Sequence, residues 1–212
     1  MTAPKPRFLL LAAVLLAFAA PAWAAPLRIV ALGDSLTAGF QLPTADAFPA
    51  KLEAALRAKG YDVEVVNAGV SGDTAAGGLA RLDWSVPDGT DAVIVELGAN
   101  DMLRGIDPAR TRAALSEILG RLKARGLPVL LAGMLASTNL GPDYKAAFDA
   151  IYPDLAKTYG ALLYPFFLDG VALDQAYTLP DGLHPTARGV DVIVARILPS
   201  VEALMSRARP RA

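Results

Sequence analysis

The sequence contains no cysteine and only one histidine, His184, among its 212 residues. Without cysteine the chain forms no disulfide, and it cannot be a lipoprotein, which needs a cysteine for lipid attachment. A domain of this length buries enough apolar surface to be stable without disulfides, even outside the cytosol. A single histidine is also a poor basis for a zinc site, although a set made of His184, Asp181 and Asp34 is conceivable.

The sequence also lacks an excess of either charge, since it has 20 lysines and arginines and 21 aspartates and glutamates. This balance gives no indication of nucleic-acid binding. The tail 206–212 is basic, but arginines at a chain end are most often solvated. We expect a small molecule, and not a nucleic acid, as the partner. The sequence does not determine the oligomeric state, for which a monomer is the expectation.

Long apolar runs are absent except at the N-terminus. Residues 1–7 are short and basic, residues 8–20 are continuously apolar, and the small-x-small pattern Ala22-Trp23-Ala24 follows. This order predicts a signal peptide over 1–24 and a mature domain over 25–212. The alternative is an uncleaved anchor, but the run is shorter than the roughly 20 residues of a spanning helix. We expect an exported protein, periplasmic or secreted, with no stable membrane anchor after cleavage.

The mature chain alternates short apolar runs with helical patterns. The runs predict five buried strands, at 27–32, 62–67, 91–98, 128–133 and 161–166. Helical patterns separate these runs. Pro153 is expected to kink or break the helix that connects the fourth strand to the fifth. Near-continuous apolar strands between helices predict an α/β fold with a parallel sheet covered on both faces.

Polar residues follow the predicted strands, at the sheet edge where open α/β proteins bind their ligands. Ser35 follows the first strand, Gly72 the second and Asn100 the third, while Asp181 and His184 lie between the fifth strand and the last helix. Each has an ordinary interpretation. Ser35 suits a helix cap, Gly72 a positive φ, Asn100 an Asx turn, and "DGLHP" a surface turn.

Together, however, the five residues supply the parts of a serine hydrolase. Ser35 offers a hydroxyl nucleophile, His184 a base that titrates near neutrality, and Asp181 a carboxylate that orients the imidazole. The backbone N–H groups of Ser35 and Gly72, with the Asn100 amide, could form an oxyanion hole. No cofactor is needed for this chemistry.

The blocks "GDSLTAG", "GAND" and "DGLHP", in this order, resemble those of the GDSL or SGNH hydrolases, named for Ser, Gly, Asn and His. The form is most similar to the exported acyl-CoA thioesterase I, lysophospholipase L1 and arylesterase subgroup. The resemblance implies a three-layer, flavodoxin-like fold with five parallel strands. It also implies a serine esterase or thioesterase that acts on acyl or aryl esters through an acyl-enzyme on Ser35.

Two departures and two alternatives accompany this resemblance. Thr37 replaces the last glycine of a G-x-S-x-G elbow, and the loop 134–144 has Asn139-Leu140-Gly141 where close relatives usually have a proline-rich form. Four apolar residues are candidates for an acyl groove or for ordinary packing: Leu36, Met134, Leu135 and Leu140. The competing functions are a carbohydrate acetylesterase and a non-catalytic exported binding protein on the same fold.

Overall fold

The computed structural model describes residues 25–208. The predicted signal peptide, residues 1–24, lies outside the described residues, as do residues 209–212. Five strands form one parallel sheet: β1 (Leu27–Gly33), β2 (Val63–Gly69), β3 (Ala92–Glu96), β4 (Val129–Ala132) and β5 (Leu162–Tyr164). Their order in the sheet is β2-β1-β3-β4-β5, with every neighbouring pair parallel.

Helices cover both faces of the sheet. They are α1 (Ser35–Ala38), α2 (Phe48–Ala58), α3 (Ala75–Ala80), α4 (Leu82–Ser85), α5 (Ala99–Leu103), α6 (Pro108–Ala124), α7 (Pro142–Asp149), α8 (Ile151–Tyr159) and α9 (Ala187–Met205). Helices α2 and α9 pack against each other on one side, and α6 packs against α3 and α8 on the other. The α/β prediction, with five parallel strands in three layers, is therefore confirmed.

The predicted strand positions are right, but the predicted ends differ from the observed ones by up to two residues. The third and fifth strands are each three residues shorter than predicted. The fifth strand ends at Tyr164 because Pro165 has no N–H for a further ladder hydrogen bond. The expected break near Pro153 is also present. The chain changes from α7 to α8 at Ala150, and Pro153 lies in the first turn of α8, where a missing N–H costs little.

The topology explains why the polar segments meet. Strand β1 lies between β2 and β3 in the sheet. The connection from β1 leads to the neighbour on one side, β2, and the chain then returns to the other side of β1 to form β3. Such a switch point opens a crevice at the carboxyl ends of the strands. The ends of β1 and β3, Gly33 and Glu96, are register partners. Among the helices within residues 25–208, none is both long and apolar enough to cross a bilayer.

Candidate active site

The turn between β1 and α1 presents Ser35 at the end of the sheet. Asp34 caps the helix, since its Oδ1 accepts a hydrogen bond of 3.0 Å from the Leu36 N–H. Ser35 is the first helical residue and not the cap, so the ordinary interpretation of Ser35 as a helix cap is wrong. Glycine is required at Gly33, because an added Cβ would lie 2.0 Å from the Thr37 hydroxyl.

The Ser35 hydroxyl is in contact with the only histidine of the chain. The Ser35 Oγ and His184 Nε2 atoms are 2.8 Å apart, and His184 Nδ1 lies 2.7 Å from Asp181 Oδ2. The ring of Phe40 packs on the imidazole, with 4.4 Å between the ring centroids. Three side chains from opposite ends of the sequence thus form a continuous hydrogen-bonded chain that can take a proton from Ser35.

The loop that carries Asp181 and His184 is fixed by its own backbone. The Leu179 N–H donates to the His184 carbonyl at 2.7 Å, and Gly182, with φ of 70°, turns the chain between Asp181 and His184. Asp181 Oδ1 accepts from the N–H groups of Leu183 and His184, at 2.9 and 3.0 Å. The other oxygen of the carboxylate remains for the imidazole.

The charge of Asp181 is secure at neutral pH. Partial desolvation acts to raise the pKa of its carboxyl, but the backbone N–H groups of His184 and Leu183 and the imidazole lower that pKa to about 2. Because the pKa is depressed, the stabilising contribution of the ionised carboxylate is fully present above the ordinary value of 3.8 and is lost as the pH falls from there through about 2. An ionised partner favours the Nδ1–H tautomer, which leaves Nε2 free to accept the Ser35 proton.

Gly72 has a loop conformation that glycine favours. Its φ is 86°, and an added Cβ would meet nothing closer than the Arg104 guanidinium at 3.6 Å, so the dihedral rather than space explains the glycine. Arg104 holds the loop by donating to the Gly72 carbonyl at 2.7 Å. Among the hydrogen bonds of residues 25–208, the N–H groups of Gly72 and Ser35 have no acceptor. Both remain able to donate to a ligand.

Asn100 lies beside this turn, but its amide is already occupied. The Nδ2 group donates to Asp34 Oδ2 at 3.0 Å and to the Asp73 carbonyl at 2.9 Å. The sequence predicted that this amide could donate to an oxyanion, and the structure shows that it is also held by two other segments of the chain. Asn100 can serve an oxyanion by sharing one of these hydrogens, and the two contacts fix the position of its nitrogen.

Asp34 and Asp101 hold neighbouring segments in place by hydrogen bonds. Asp101 accepts from the Ala75 N–H at 2.8 Å and from the Thr111 hydroxyl at 2.9 Å. Desolvation raises the pKa of Asp34 to about 6, against the opposing effect of its bonds with Leu36 and Asn100. A second buried carboxyl, Glu96, lies below the same turn, and desolvation together with the Asp34 charge holds its pKa well above the usual range.

An apolar groove of about 630 Å³ extends from the Ser35–His184 pair. The four residues proposed from the sequence all line it: Leu36, Met134, Leu135 and Leu140. Its remaining apolar wall includes residues that sequence analysis did not identify: Met102, Leu103, Phe166, Leu168, Val171, Leu173 and Leu183. Met102 and Leu103 end α5, whereas the others lie between residues 166 and 183, and no local pattern marks either group.

Other residues of the site were also missed. Phe40 directly follows the "GDSLTAG" block, and that position was the only available signal for its contact with His184. Arg81 is almost fully buried and donates to Asp73, to Ser85 and to the carbonyls of Gly33 and Ala68. It ties together the ends of β1 and β2 and the Gly72 loop.

The alternative metal set does not assemble. Asp34 directs its carboxylate to the Leu36 N–H and the Asn100 amide, while Asp181 faces His184. Within residues 25–208 no three His, Asp or Glu side chains are grouped so as to hold a metal ion.

A three-layer α/β/α fold with a Ser–His–Asp chain at its switch point is the arrangement of a serine hydrolase, and the adjoining groove is lined mainly by apolar side chains. Comparison with known proteins agrees and is more specific. The model of the GDSL-like lipase/acylhydrolase family matches residues 31–192. The chain belongs to this family and is an ester-hydrolysing enzyme.

Named relatives cover most of the chain. An arylesterase of Vibrio mimicus is 41% identical over 74% of this chain and 80% of its own length. The thioesterase 1/protease 1/lysophospholipase L1 of Escherichia coli K12 is 42% identical over 81% of this chain and 80% of its own. Among solved structures, the SGNH-hydrolase family esterase AlinE4 is 48% identical, covers 84% of this chain and 96% of its own, and has a TM-score of 0.72.

Proposed function

We propose that this enzyme hydrolyses acyl and aryl esters and thioesters through an acyl-enzyme on Ser35. The observation that carries the proposal is the chain of two short contacts, Ser35 Oγ to His184 Nε2 at 2.8 Å and His184 Nδ1 to Asp181 Oδ2 at 2.7 Å, at the head of an apolar groove. The arylesterase and thioesterase/lysophospholipase names of its relatives support the same class of substrates.

In the acylation step, Ser35 Oγ attacks the carbonyl carbon while His184 Nε2 accepts the hydroxyl proton. Asp181 stabilises the resulting imidazolium. The carbonyl oxygen becomes an oxyanion, which the N–H groups of Ser35 and Gly72 and the Asn100 amide stabilise. His184 then returns the proton to the leaving alcohol or thiol, and the C–O or C–S bond breaks.

In the deacylation step, water replaces the leaving group. His184 takes a proton from the water, and the hydroxide attacks the acyl carbon of the Ser35 ester. The same three donors stabilise the second oxyanion. Collapse of this intermediate returns the proton to Ser35 Oγ and releases the carboxylic acid.

The groove favours substrates with an apolar acyl chain over acetyl esters. Burial of each methylene contributes about 0.8 kcal/mol, which is up to about a fourfold gain per methylene in kcat/KM until the groove is filled. For a series of p-nitrophenyl esters from acetate to palmitate, measured beside an acyl-CoA, kcat/KM should therefore increase from acetate toward longer chains. A maximum at acetate would favour the carbohydrate acetylesterase, and no turnover of any ester would favour the binding protein.

Two matched variants locate this preference. Leu135 is a half-exposed leucine of the groove wall, and Trp84 is an exposed aromatic residue that does not line the groove. Leu135→Ser should flatten the dependence of kcat/KM on chain length, with little effect on acetate, whereas Trp84→Ser should leave the whole series unchanged. Equal effects of the two variants would contradict an acyl site at the groove.

We further propose that the enzyme is exported and that residues 1–24 are removed. The proposal rests on the basic, apolar and small-x-small order of that segment. Edman sequencing of the protein purified from the cell envelope or the medium should start at Ala25 or nearby. A sequence that begins at Met1 or Thr2 would contradict cleavage.

A further inference from the structure

A fully buried glutamate lies directly beneath the nucleophile turn. Glu96 ends β3, has no exposed surface, and approaches the turn at the end of β1. Its Oε2 accepts from the Thr37 hydroxyl at 2.7 Å and from the Asp34 N–H at 3.4 Å. An added Cβ on Gly33 would lie 2.7 Å from the same oxygen, so the backbone of the turn is in close contact with this carboxyl.

The other oxygen of this carboxyl is not satisfied. Among the residues that the structure describes, Glu96 Oε1 is buried without a hydrogen-bond partner. An ionised carboxylate with one unpaired oxygen is far more costly to bury than an uncharged acid. The neighbouring Asp34 differs, because its two oxygens accept from the Leu36 N–H and the Asn100 amide. The single negative charge of this pair therefore belongs on Asp34.

The surrounding groups do not change this assignment. Asp34 and Asp101 add negative charge near the turn, and the hydroxyl of Tyr152 is committed to the Leu97 carbonyl. The electrostatic effect of His184 lowers the pKa of Asp34 and so also favours the charge on Asp34. Arg81 contacts the turn from the β2 side, but its guanidinium donates to Asp73, Ser85 and two carbonyls and not to Glu96.

From this geometry we infer that Glu96 is a positioning residue that works as an uncharged carboxylic acid. It accepts from Thr37 and the Asp34 N–H, and so fixes the turn that carries Ser35. Through Asp34 it also fixes the Asn100 amide. Ionisation of Glu96 would place a second negative charge beside the Asp34 carboxylate. This repulsion would disturb both the turn that carries Ser35 and the position of the Asn100 amide. The inference rests on the proposed role of Ser35 as the nucleophile.

The test compares Glu96→Gln, an uncharged side chain of the same shape, with Glu96→Ala, which removes the support. Glu96→Gln should keep kcat near the wild-type value at neutral pH. Glu96→Ala should lower kcat by about tenfold or more with a smaller change in KM, because misplacement of a reacting group costs up to about a hundredfold. The wild-type kcat should fall on the alkaline side as Glu96 ionises, and Glu96→Gln should lack this fall. Glu117→Gln, a surface control, should show neither effect.

Thermal unfolding provides a readout that does not depend on activity. Because the pKa of Glu96 is raised in the folded protein, stability is fully present below the ordinary value of 4.5 and decreases as the pH rises toward the raised value. The Tm of Glu96→Gln should therefore exceed that of the wild type by an amount that grows with pH. This comparison of Tm values tests whether Glu96 is uncharged in the folded protein even if Glu96→Ala fails to fold.

Three results would overturn the inference: a loss of kcat in Glu96→Gln as large as in Glu96→Ala, a wild-type kcat and pH profile in Glu96→Ala, or a Tm difference that does not change with pH. The proposed function fails separately. If a fluorophosphonate does not label Ser35 in the wild type, the nucleophile is wrong, whereas labelling of the wild type with no effect of Glu96 contradicts only the positioning role.

Discussion

Replacement of Ser35 by alanine is expected to abolish both ester hydrolysis and labelling by a fluorophosphonate, while the protein stays folded. The wild-type chain should gain one covalent adduct, at Ser35. The only side-chain hydrogen bond that Ser35 makes within residues 25–208 is with His184, and the helix cap is Asp34. The loss of one partly exposed hydrogen bond costs about 1 kcal/mol, so the fold should survive the change.

A double variant tests whether Ser35 and His184 act as a unit. Ser35→Ala combined with His184→Ala should be hardly less active than Ser35→Ala alone, because a base without its nucleophile has nothing to activate. Activity and Tm are measured on the same samples. A stable Ser35→Ala protein that retains wild-type turnover would refute the acyl-enzyme mechanism.

Replacement of Asn100 by alanine is expected to reduce kcat by about a hundredfold or more, the effect of the loss of one oxyanion donor. The amide nitrogen is held by Asp34 and by the Asp73 carbonyl, close to the turn that presents Ser35. Because the donor acts most strongly in the transition state, KM should change far less than kcat. Labelling of Ser35 should persist at a reduced rate, since the nucleophile and its base remain.

The occupied amide makes a purely structural role the competing explanation for Asn100. In that case Asn100→Ala would lower the Tm through the loss of two hydrogen bonds, and kcat would be unchanged. The ratio of the change in kcat to the change in Tm separates the two roles. A destabilised variant with wild-type kcat would remove Asn100 from the proposed oxyanion hole.

Much of the fold was readable from local patterns. The apolar runs at β1 and β3, with glycines after them, predicted buried strands, because a strand covered on both faces has no polar side to display. Pro153 marked the break between α7 and α8. The predicted ends of β5, at 161 and 166, were wrong by one and two residues, since one or two backbone hydrogen bonds decide where a strand stops.

Much of the candidate site was equally readable, because each part lies in a short block with its own chemistry. Ser35, Gly72, Asn100 and the Asp181–His184 pair were identified from residue type and their places after strands, and the structure brings them to one end of the sheet. Asp181 and His184 are three residues apart, so one loop could orient both. Ser35 and His184 are 149 residues apart in the sequence, and only the order of the strands in the sheet brings them into contact.

What the sequence by itself determined is the set of reactive groups and the alternation of elements, since these depend on residue type and on neighbours along the chain. Only the tertiary structure decided what surrounds them. The buried Glu96 below Ser35 and the occupied amide of Asn100 depend on hydrogen bonds between residues 27 to 66 positions apart, and the groove wall combines residues of separate loops and of α5. Such contacts depend on how strands and helices pack, and burial, which the local sequence does not reveal, is what raises the pKa of the Glu96 carboxyl above its ordinary value.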